Sequence, residues 1–123
     1  MSGNSFLRDT NAILYVLSGD RELEELLDGQ TLFTSVITEM ELLSFPAISV
    51  EESDRIGNFL EEFEIFPLTT EIREVAISTR RDTRLKLPDS IIAATALVHD
   101  LPSITADRAF ERVKGLNLVL LER

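Results

Sequence analysis

Short apolar runs along this chain alternate with longer stretches in which apolar residues recur every three or four positions. The short runs have the length of buried β-strands, and the recurring positions have the period of α-helices. Strands are predicted at residues 6–9, 31–34, 65–68, 103–105 and 116–121. Helices are predicted at residues 11–17, 21–27, 36–43, 51–63, 70–84, 88–98 and 107–113. This alternation predicts a three-layer α/β/α domain around a parallel sheet of about five strands.

Two of the predicted helices carry apolar patterns that indicate how they pack. In the helix at residues 36–43 the apolar stripe predicts the buried face. That stripe consists of Val36, Met40 and Leu43, with Ile37 beside it. In the helix at residues 88–98, apolar side chains cover nearly the whole circumference, which predicts a central and buried helix.

The composition narrows the class of protein. Of 123 residues, 44% are hydrophobic and 28% are charged, which is typical of one globular domain spanning residues 1–123. No apolar stretch approaches the length of a membrane helix, and the polar N-terminus is unlike a secretory signal. The chain has no Cys, which excludes disulfides and thiolate metal sites. We therefore expect a cytoplasmic protein with no membrane partner.

The net charge of -10 is unevenly distributed. Residues 1–72 contain 3 basic and 15 acidic side chains, whereas residues 73–123 contain 9 basic and 7 acidic ones. Phosphate repels so acidic a chain at long range, which argues against a general nucleic-acid binder. The basic residues of the second half could form a rim beside an acidic site or simply a solvated face. They include Arg80, Arg81, Arg84, Lys86, Arg108, Arg112 and Lys114.

Four acidic residues stand where an apolar run gives way to a helix start, or on a helix flank. They are Asp9, Glu41, Asp89 and Asp107. Asp9 and Asp107 each follow a predicted strand, and the carboxyl ends of parallel strands lie on one edge of a sheet, where ligands bind. Crowded carboxylates repel one another unless cations fill the site. Oxygen ligands without Cys or a usable His favour Mg²⁺ or Mn²⁺.

Each of these acids also has a purely structural interpretation. Asp9 and Asp107 could be helix N-caps, and Asp89 could interact with a helix dipole. Glu41 could be a solvated side chain, and Glu39 lies on the opposite flank of the same apolar stripe. Periodicity does not decide between these two glutamates. The joint placement of the acids, rather than any one of them, favours a metal site.

Other catalytic chemistries lack the residues that they need. Covalent catalysis by Ser usually requires a base, and the one His, His99, lies at the end of the buried helix. The five glycines are isolated, so no glycine-rich phosphate loop is present. Metal-assisted hydrolysis is the chemistry that remains.

Four short motifs occur in order along residues 6–110. They are Asp9-Thr10-Asn11, Ser35-Val36-Ile37-Thr38-Glu39-Met40-Glu41-Leu42, Lys86-Leu87-Pro88-Asp89-Ser90-Ile91-Ile92-Ala93-Ala94-Thr95-Ala96 and Thr105-Ala106-Asp107. Together they resemble the PIN domain, most closely the VapC-type toxins of prokaryotic toxin–antitoxin pairs. The resemblance implies a ribonuclease that binds one or two Mg²⁺ ions through the four acids. It also selects Glu41 over Glu39, because the family's Glu precedes a Leu about six residues after the strand-end Ser.

The resemblance implies further residues and partners. It suggests that Thr10, Asn11, Ser35 and Thr105 line or brace the site. It also suggests that Arg80, Arg81, Arg84, Lys86 and Arg108 contact the RNA backbone. The first and fourth strands should be adjacent, and an antitoxin protein and a homodimer are implied. Arg8 departs from the family pattern, in which an apolar residue is common before the first Asp.

Three other functions are compatible with parts of the pattern. A receiver-like domain would use an acidic cluster to bind Mg²⁺ and a phosphoryl group, but it needs paired acids after the first strand, where this chain has Asp9-Thr10. A PIN fold could serve as a non-catalytic interaction module, although all four acids are present. A processing or housekeeping nuclease would share the chemistry of a toxin.

Overall fold

The computed structural model describes residues 5–26 and 28–122. Its five strands form one parallel sheet in the order β3-β2-β1-β4-β5. They are β1 (Ser5–Arg8), β2 (Thr31–Ser35), β3 (Glu64–Phe66), β4 (Ser103–Thr105) and β5 (Leu118–Leu120). The α-helices are α1 (Thr10–Leu17), α2 (Arg21–Leu26), α3 (Val36–Leu43), α4 (Val50–Leu60), α5 (Thr70–Thr83) and α6 (Leu87–Val98). Residue 27, predicted as the end of α2, lies outside the described residues.

Strands β1 and β4 are neighbours at the centre of the sheet, as predicted. Leu7 is aligned with Ser103 and Arg8 with Ile104. The pairing extends past β1, because the N–H of Asp9 donates to the carbonyl oxygen of Ile104 at 3.3 Å. From β1 the strand order continues to β2 and β3 on one side, and from β4 it continues to β5 on the other. The carboxyl ends of β1 and β4 are therefore the topological switch point, where ligands bind in open α/β sheets.

Apolar clusters cover both faces of the sheet and give the predicted three layers. One cluster joins Leu7 of β1 to α6, and it consists of Leu7, Leu85, Ile92, Ala93, Ala96, Leu101, Phe110 and Val113. On the other face, Ala12, Leu23, Ile104 and Leu121 form one cluster, and Ile13, Leu42, Leu60 and Phe63 form another. Residues 92–96 of α6 are all buried, which confirms that this helix is central.

The predicted buried face of α3 is wrong at Met40, although Ile37 and Leu43 of the prediction are partly buried against the core. Met40, placed in the apolar stripe, is 59% exposed, whereas Thr38 and Leu42 are buried. The helix has only two turns, so its orientation is set by the strand before it and by contacts with α1. Thr38 can be buried because its hydroxyl oxygen lies 3.2 Å from that of Thr10.

Several element ends also differ from the predictions. Helix α4 stops at Leu60, and the N–H of Phe63 donates to the carbonyl oxygen of Leu60, which turns the chain towards β3. Strand β3 stops at Phe66, since Pro67 has no N–H for the ladder. The last strand is shorter than predicted, and residues 108–112 form a 3-10 helix. In the described part of the chain, no helix is long and apolar enough to cross a membrane.

Arg8 is buried in β1 despite its charge. It is 5% exposed, and its Cζ lies 5.5 Å from the centroid of the Phe63 ring. Burial lowers the pKa of the guanidinium, and the aromatic face offsets part of the lost hydration. The departure from the family pattern is therefore accommodated by a cation–π contact.

Candidate active site

All four sequence-predicted acids line one open cavity of about 480 Å³ at the carboxyl ends of β1 and β4. Each acid comes from a different segment of the chain: Asp9 follows β1, Glu41 lies on α3, Asp89 on α6, and Asp107 follows β4. The other polar lining residues are Thr10, Asn11, Ser44 and Lys86. The apolar ones are Leu14, Phe45, Pro46, Pro88 and Ile92. A cavity with four carboxylates and one ammonium group is strongly acidic.

Asp9 is fixed at the centre of the site by two hydrogen bonds. Its Oδ1 accepts from the N–H of Ala12 at 2.9 Å, so Asp9 is the N-cap of α1. Its Oδ2 accepts from the hydroxyl of Thr105. The side chain is almost fully buried, and burial raises the pKa of the Asp9 carboxyl to about 6 against the effect of both hydrogen bonds. The nearby charges of Asp89 and Asp107 raise this pKa further.

Thr105 links Asp9 to Asp107. The hydroxyl oxygen that donates to Asp9 also accepts from the N–H of Asp107 at 3.0 Å. Asp107 in turn accepts from the N–H of Ala109 at 2.9 Å through Oδ1 and caps the 3-10 helix. Both aspartates are thus N-caps and cavity residues at once, so the two interpretations of the sequence do not exclude each other.

The structure places Glu41, and not Glu39, in the cavity. The hydroxyl of Thr10 donates to Oε1 of Glu41 at 2.6 Å, which orients this carboxylate from α1. Glu39 lines a separate depression beside Leu43 and Phe63. The side chain preferred from the resemblance is therefore the one that the fold directs to the other acids.

Asp89 lies half-buried in the first turn of α6. Burial raises the pKa of its carboxyl, and the charges of Asp107 and Glu41 raise it further, whereas Lys86 lowers it. The charges of Asp107 and Glu41 therefore act on Asp89 across the cavity. Lys86 is the N-terminal cap residue of α6 and supplies the one positive charge in the lining.

The remaining predicted residues are divided between the site and its surroundings. Asn11 lines the cavity, whereas Ser35 is buried and caps α3 by accepting from the N–H of Ile37 at 3.1 Å. Four predicted basic residues are exposed and do not line the cavity: Arg80, Arg81, Arg84 and Arg108. Arg108 pairs with Glu111 at 3.4 Å, in an exposed contact that contributes little.

Thr38 and Phe45 are among the residues at the site that the sequence did not identify. Thr38 precedes Glu41 by three positions and so shares its helix face, a spacing that could have identified it. Phe45 follows the end of α3 and lines the cavity, and no periodicity marks a residue in such a turn.

The residues of the cavity fit a hard divalent cation. Within the described ranges no three His, Asp or Glu side chains are already gathered closely enough to hold a metal ion. Burial raises the pKa of Asp9 and of Asp89, and the neighbouring carboxylates raise both further; a cation would relieve the repulsion between these charges. The donors are carboxylate and hydroxyl oxygens, the ligands that Mg²⁺ and Mn²⁺ prefer.

Comparisons with known proteins agree with this fold. A toxin–antitoxin complex from Klebsiella pneumoniae contains a chain that is 33% identical, with a TM-score of 0.79 over 93% of this chain and 95% of that one. VapBC from Salmonella typhimurium, solved bound to DNA, is 23% identical with a TM-score of 0.81 over 94% and 96%. VapBC2 from Rickettsia felis, also solved with DNA, is 20% identical with a TM-score of 0.80 over 96% and 99%. A comparison with curated protein sequences gave no match.

The sequence profile of the PIN domain matches residues 6–116. This range contains β2, β3 and β4 completely, β1 except for Ser5, and all four acids of the cavity. The chain therefore belongs to the PIN domain family.

Proposed function

We propose that this protein is a metal-dependent endoribonuclease of the VapC toxin type, which hydrolyses RNA phosphodiester bonds. The observation that carries the proposal is that Asp9, Glu41, Asp89 and Asp107 reach one cavity from four separate segments of a PIN domain. Membership in this family replaces the receiver-like interpretation. The 33% identical chain in a toxin–antitoxin complex supports the toxin class.

The four carboxylates would hold one or two Mg²⁺ or Mn²⁺ ions. A divalent cation bound there neutralises charge on a phosphate and lowers the pKa of a coordinated water. The chain's own contribution is to hold its ligands in place before substrate arrives. Thr105 and the N–H of Ala12 fix Asp9, while Thr10 fixes Glu41. Lys86 offers an ammonium group to a phosphate oxygen at the same cavity.

Hydrolysis forms a bond from water oxygen to phosphorus and breaks one P–O bond. A base must take a proton from the water, and the leaving oxygen must gain one. Among the described residues, Asp89 accepts no hydrogen bond, whereas both oxygens of Asp9 accept one. Asp89 is therefore the carboxylate that we assign to taking the proton from the water, and Lys86, the one cation of the lining, is the group that we assign to supplying a proton to the leaving oxygen.

The biological setting follows from the same family relationship. We propose a cognate antitoxin as protein partner, a homodimer as the assembly and the cytoplasm as the location. Residues 1–123 would act as one domain. The 33% identical chain belongs to a toxin–antitoxin complex, which supports the antitoxin rather than a housekeeping role.

The experiment is RNA cleavage by purified protein with and without Mg²⁺. We expect cleavage with Mg²⁺, loss of cleavage with a chelator, and a loss of at least about 100-fold for Asp9→Asn, because one buried metal ligand is removed. Equal cleavage rates for Asp9→Asn and the parent would contradict the proposal, and no cleavage by the parent would favour the non-catalytic interaction module.

A further inference from the structure

Phe45 is exposed at the candidate active site. Of the seven phenylalanines it is the only one that is largely exposed, with 48% of its surface accessible to solvent. Five other large apolar side chains of the described residues are similarly exposed: Met40, Val50, Leu68, Ile77 and Leu87. None of these five lines the carboxylate cavity, whereas Phe45 does. The exposed aromatic ring is thus placed at the site rather than elsewhere on the surface.

A tight turn holds Phe45 at the end of α3. The carbonyl oxygen of Phe45 accepts from the N–H of Ile48 at 3.2 Å, which closes a four-residue turn. Pro46 occupies the second position, where its fixed φ suits a turn, and it also restricts the backbone of Phe45 to extended conformations. Ala47 has a φ of 63°, in the left-handed region. The ring is therefore presented by a backbone with little freedom.

The chemistry beside Phe45 points to a nucleotide. Under the proposed function, Lys86 and the four acids bind a phosphate and its cations, and Phe45 with Pro46 adds an apolar surface to the same cavity. In an unpaired nucleotide the base is free to stack on an aromatic side chain, and such stacking tolerates any sequence. A chain of net charge -10 gains little from long-range attraction to RNA. An uncharged contact with the base therefore contributes a larger share of the binding free energy.

We propose that Phe45 stacks on an unpaired nucleobase next to the scissile phosphate. This inference rests on the proposed function, because the nucleotide is placed by the phosphate at the carboxylates. In a duplex the faces of each base are covered by its neighbours, so the ring has no surface to contact. Phe45 is then a residue that contacts substrate and determines specificity.

Tryptophan fluorescence tests this contact directly, because the chain has no Trp. Phe45→Trp would place a single reporter in the cavity, and Asp9→Asn in the same chain prevents cleavage during the titration. A short single-stranded RNA should quench this fluorescence, and a duplex of the same sequence should not. The matched control is Val50→Trp with Asp9→Asn, since Val50 is 77% exposed and does not line the cavity. Its fluorescence should stay unchanged.

Kinetics separate stacking from simple apolar contact. Phe45→Ala and Phe45→Leu should weaken binding of single-stranded RNA by about 5- to 100-fold, mainly through KM, whereas Phe45→Tyr should retain it. Binding is measured by the anisotropy of labelled RNA.

If RNA binds and the Phe45→Trp reporter is not quenched, or if the duplex quenches it equally, the inference is wrong, and a protein partner becomes the better occupant. If the parent neither binds nor cleaves RNA, the proposed function fails as well.

Discussion

Thr105 donates its hydroxyl hydrogen to Oδ2 of Asp9, joining the ends of β4 and β1 at the centre of the sheet. The same hydroxyl oxygen accepts from the N–H of Asp107. One buried threonine therefore sets the positions of two of the four carboxylates. It does so without reaching the cavity lining itself.

Thr105→Val should lower cleavage by about 10- to 100-fold, because Asp9 loses the hydrogen bond that orients it. It should also lower the free energy of unfolding by about 1 to 2 kcal/mol. Thr95→Val is the matched control, since the buried Thr95 hydroxyl donates only to the carbonyl of Ile91 in its own helix. Equal loss of cleavage in the two variants would show that Thr105 acts through stability alone.

Asp9→Asn should stabilise the metal-free protein at neutral pH. The pKa of Asp9 is about 6 in the folded chain, against an ordinary value of 3.8, so burying this carboxyl costs no stability below pH 3.8 and progressively more as the pH rises to 6. Above pH 6 the cost is about 1 to 3 kcal/mol. Asn still accepts a hydrogen bond at an N-cap.

The measurement is denaturant unfolding of parent and Asp9→Asn, with a chelator present, between pH 4 and pH 8. The variant should be the more stable protein at pH 8, and the difference should shrink towards pH 4. A variant that is less stable than the parent at pH 8 would show that the buried charge is already compensated.

Divalent cations should raise the melting temperature of the parent. Binding to the folded state alone contributes about 1.4 kcal/mol when Mg²⁺ or Mn²⁺ is at ten times its Kd. Asp89→Asn and Asp107→Asn should respond less, because each removes a carboxylate from the cavity. Scanning calorimetry at constant ionic strength measures this shift. An identical shift in Asp107→Asn and the parent would place the cation elsewhere.

Arg84→Gly should stabilise the fold and weaken RNA binding. Arg84 ends α5 with φ 61° and ψ 22°, a left-handed conformation that Gly adopts more easily by about 1 kcal/mol. If the exposed guanidinium of Arg84 contacts a phosphate, removing it should reduce the slope of the log binding constant for RNA against log salt concentration by about 1. Arg84→Lys is the control, because it retains both the charge and the strained conformation. Unchanged salt dependence in Arg84→Gly would remove Arg84 from the RNA contacts.

The predictions from the sequence were correct for elements whose local residue preferences match their place in the fold. Asp9 and Asp107 are polar residues that follow short strands, and the rules for parallel sheets bring such positions to one edge. The apolar circumference of α6 likewise indicated its central place. In these elements each residue's local preference is also what the tertiary structure requires.

The sequence failed where tertiary contacts override local pattern. Helix α3 exposes Met40 and buries Thr38. The helix is short, so the contact of Thr38 with Thr10, and not the apolar stripe of the helix, determines which face is buried. Phe45 was missed because its position depends on a turn and not on a period. The choice between Glu39 and Glu41 needed either the resemblance or the structure, since the two differ only in the direction that α3 gives them.

That pair of glutamates provides the most direct test of the proposed site. Glu41→Gln and Glu39→Gln make the same chemical change two positions apart on one helix, and only Glu41 lines the cavity. With RNA and Mg²⁺, Glu41→Gln should cleave at least about 10-fold more slowly than the parent, while Glu39→Gln should match it. If the parent is active and Glu41→Gln cleaves RNA as fast as Glu39→Gln, the four-carboxylate site is contradicted.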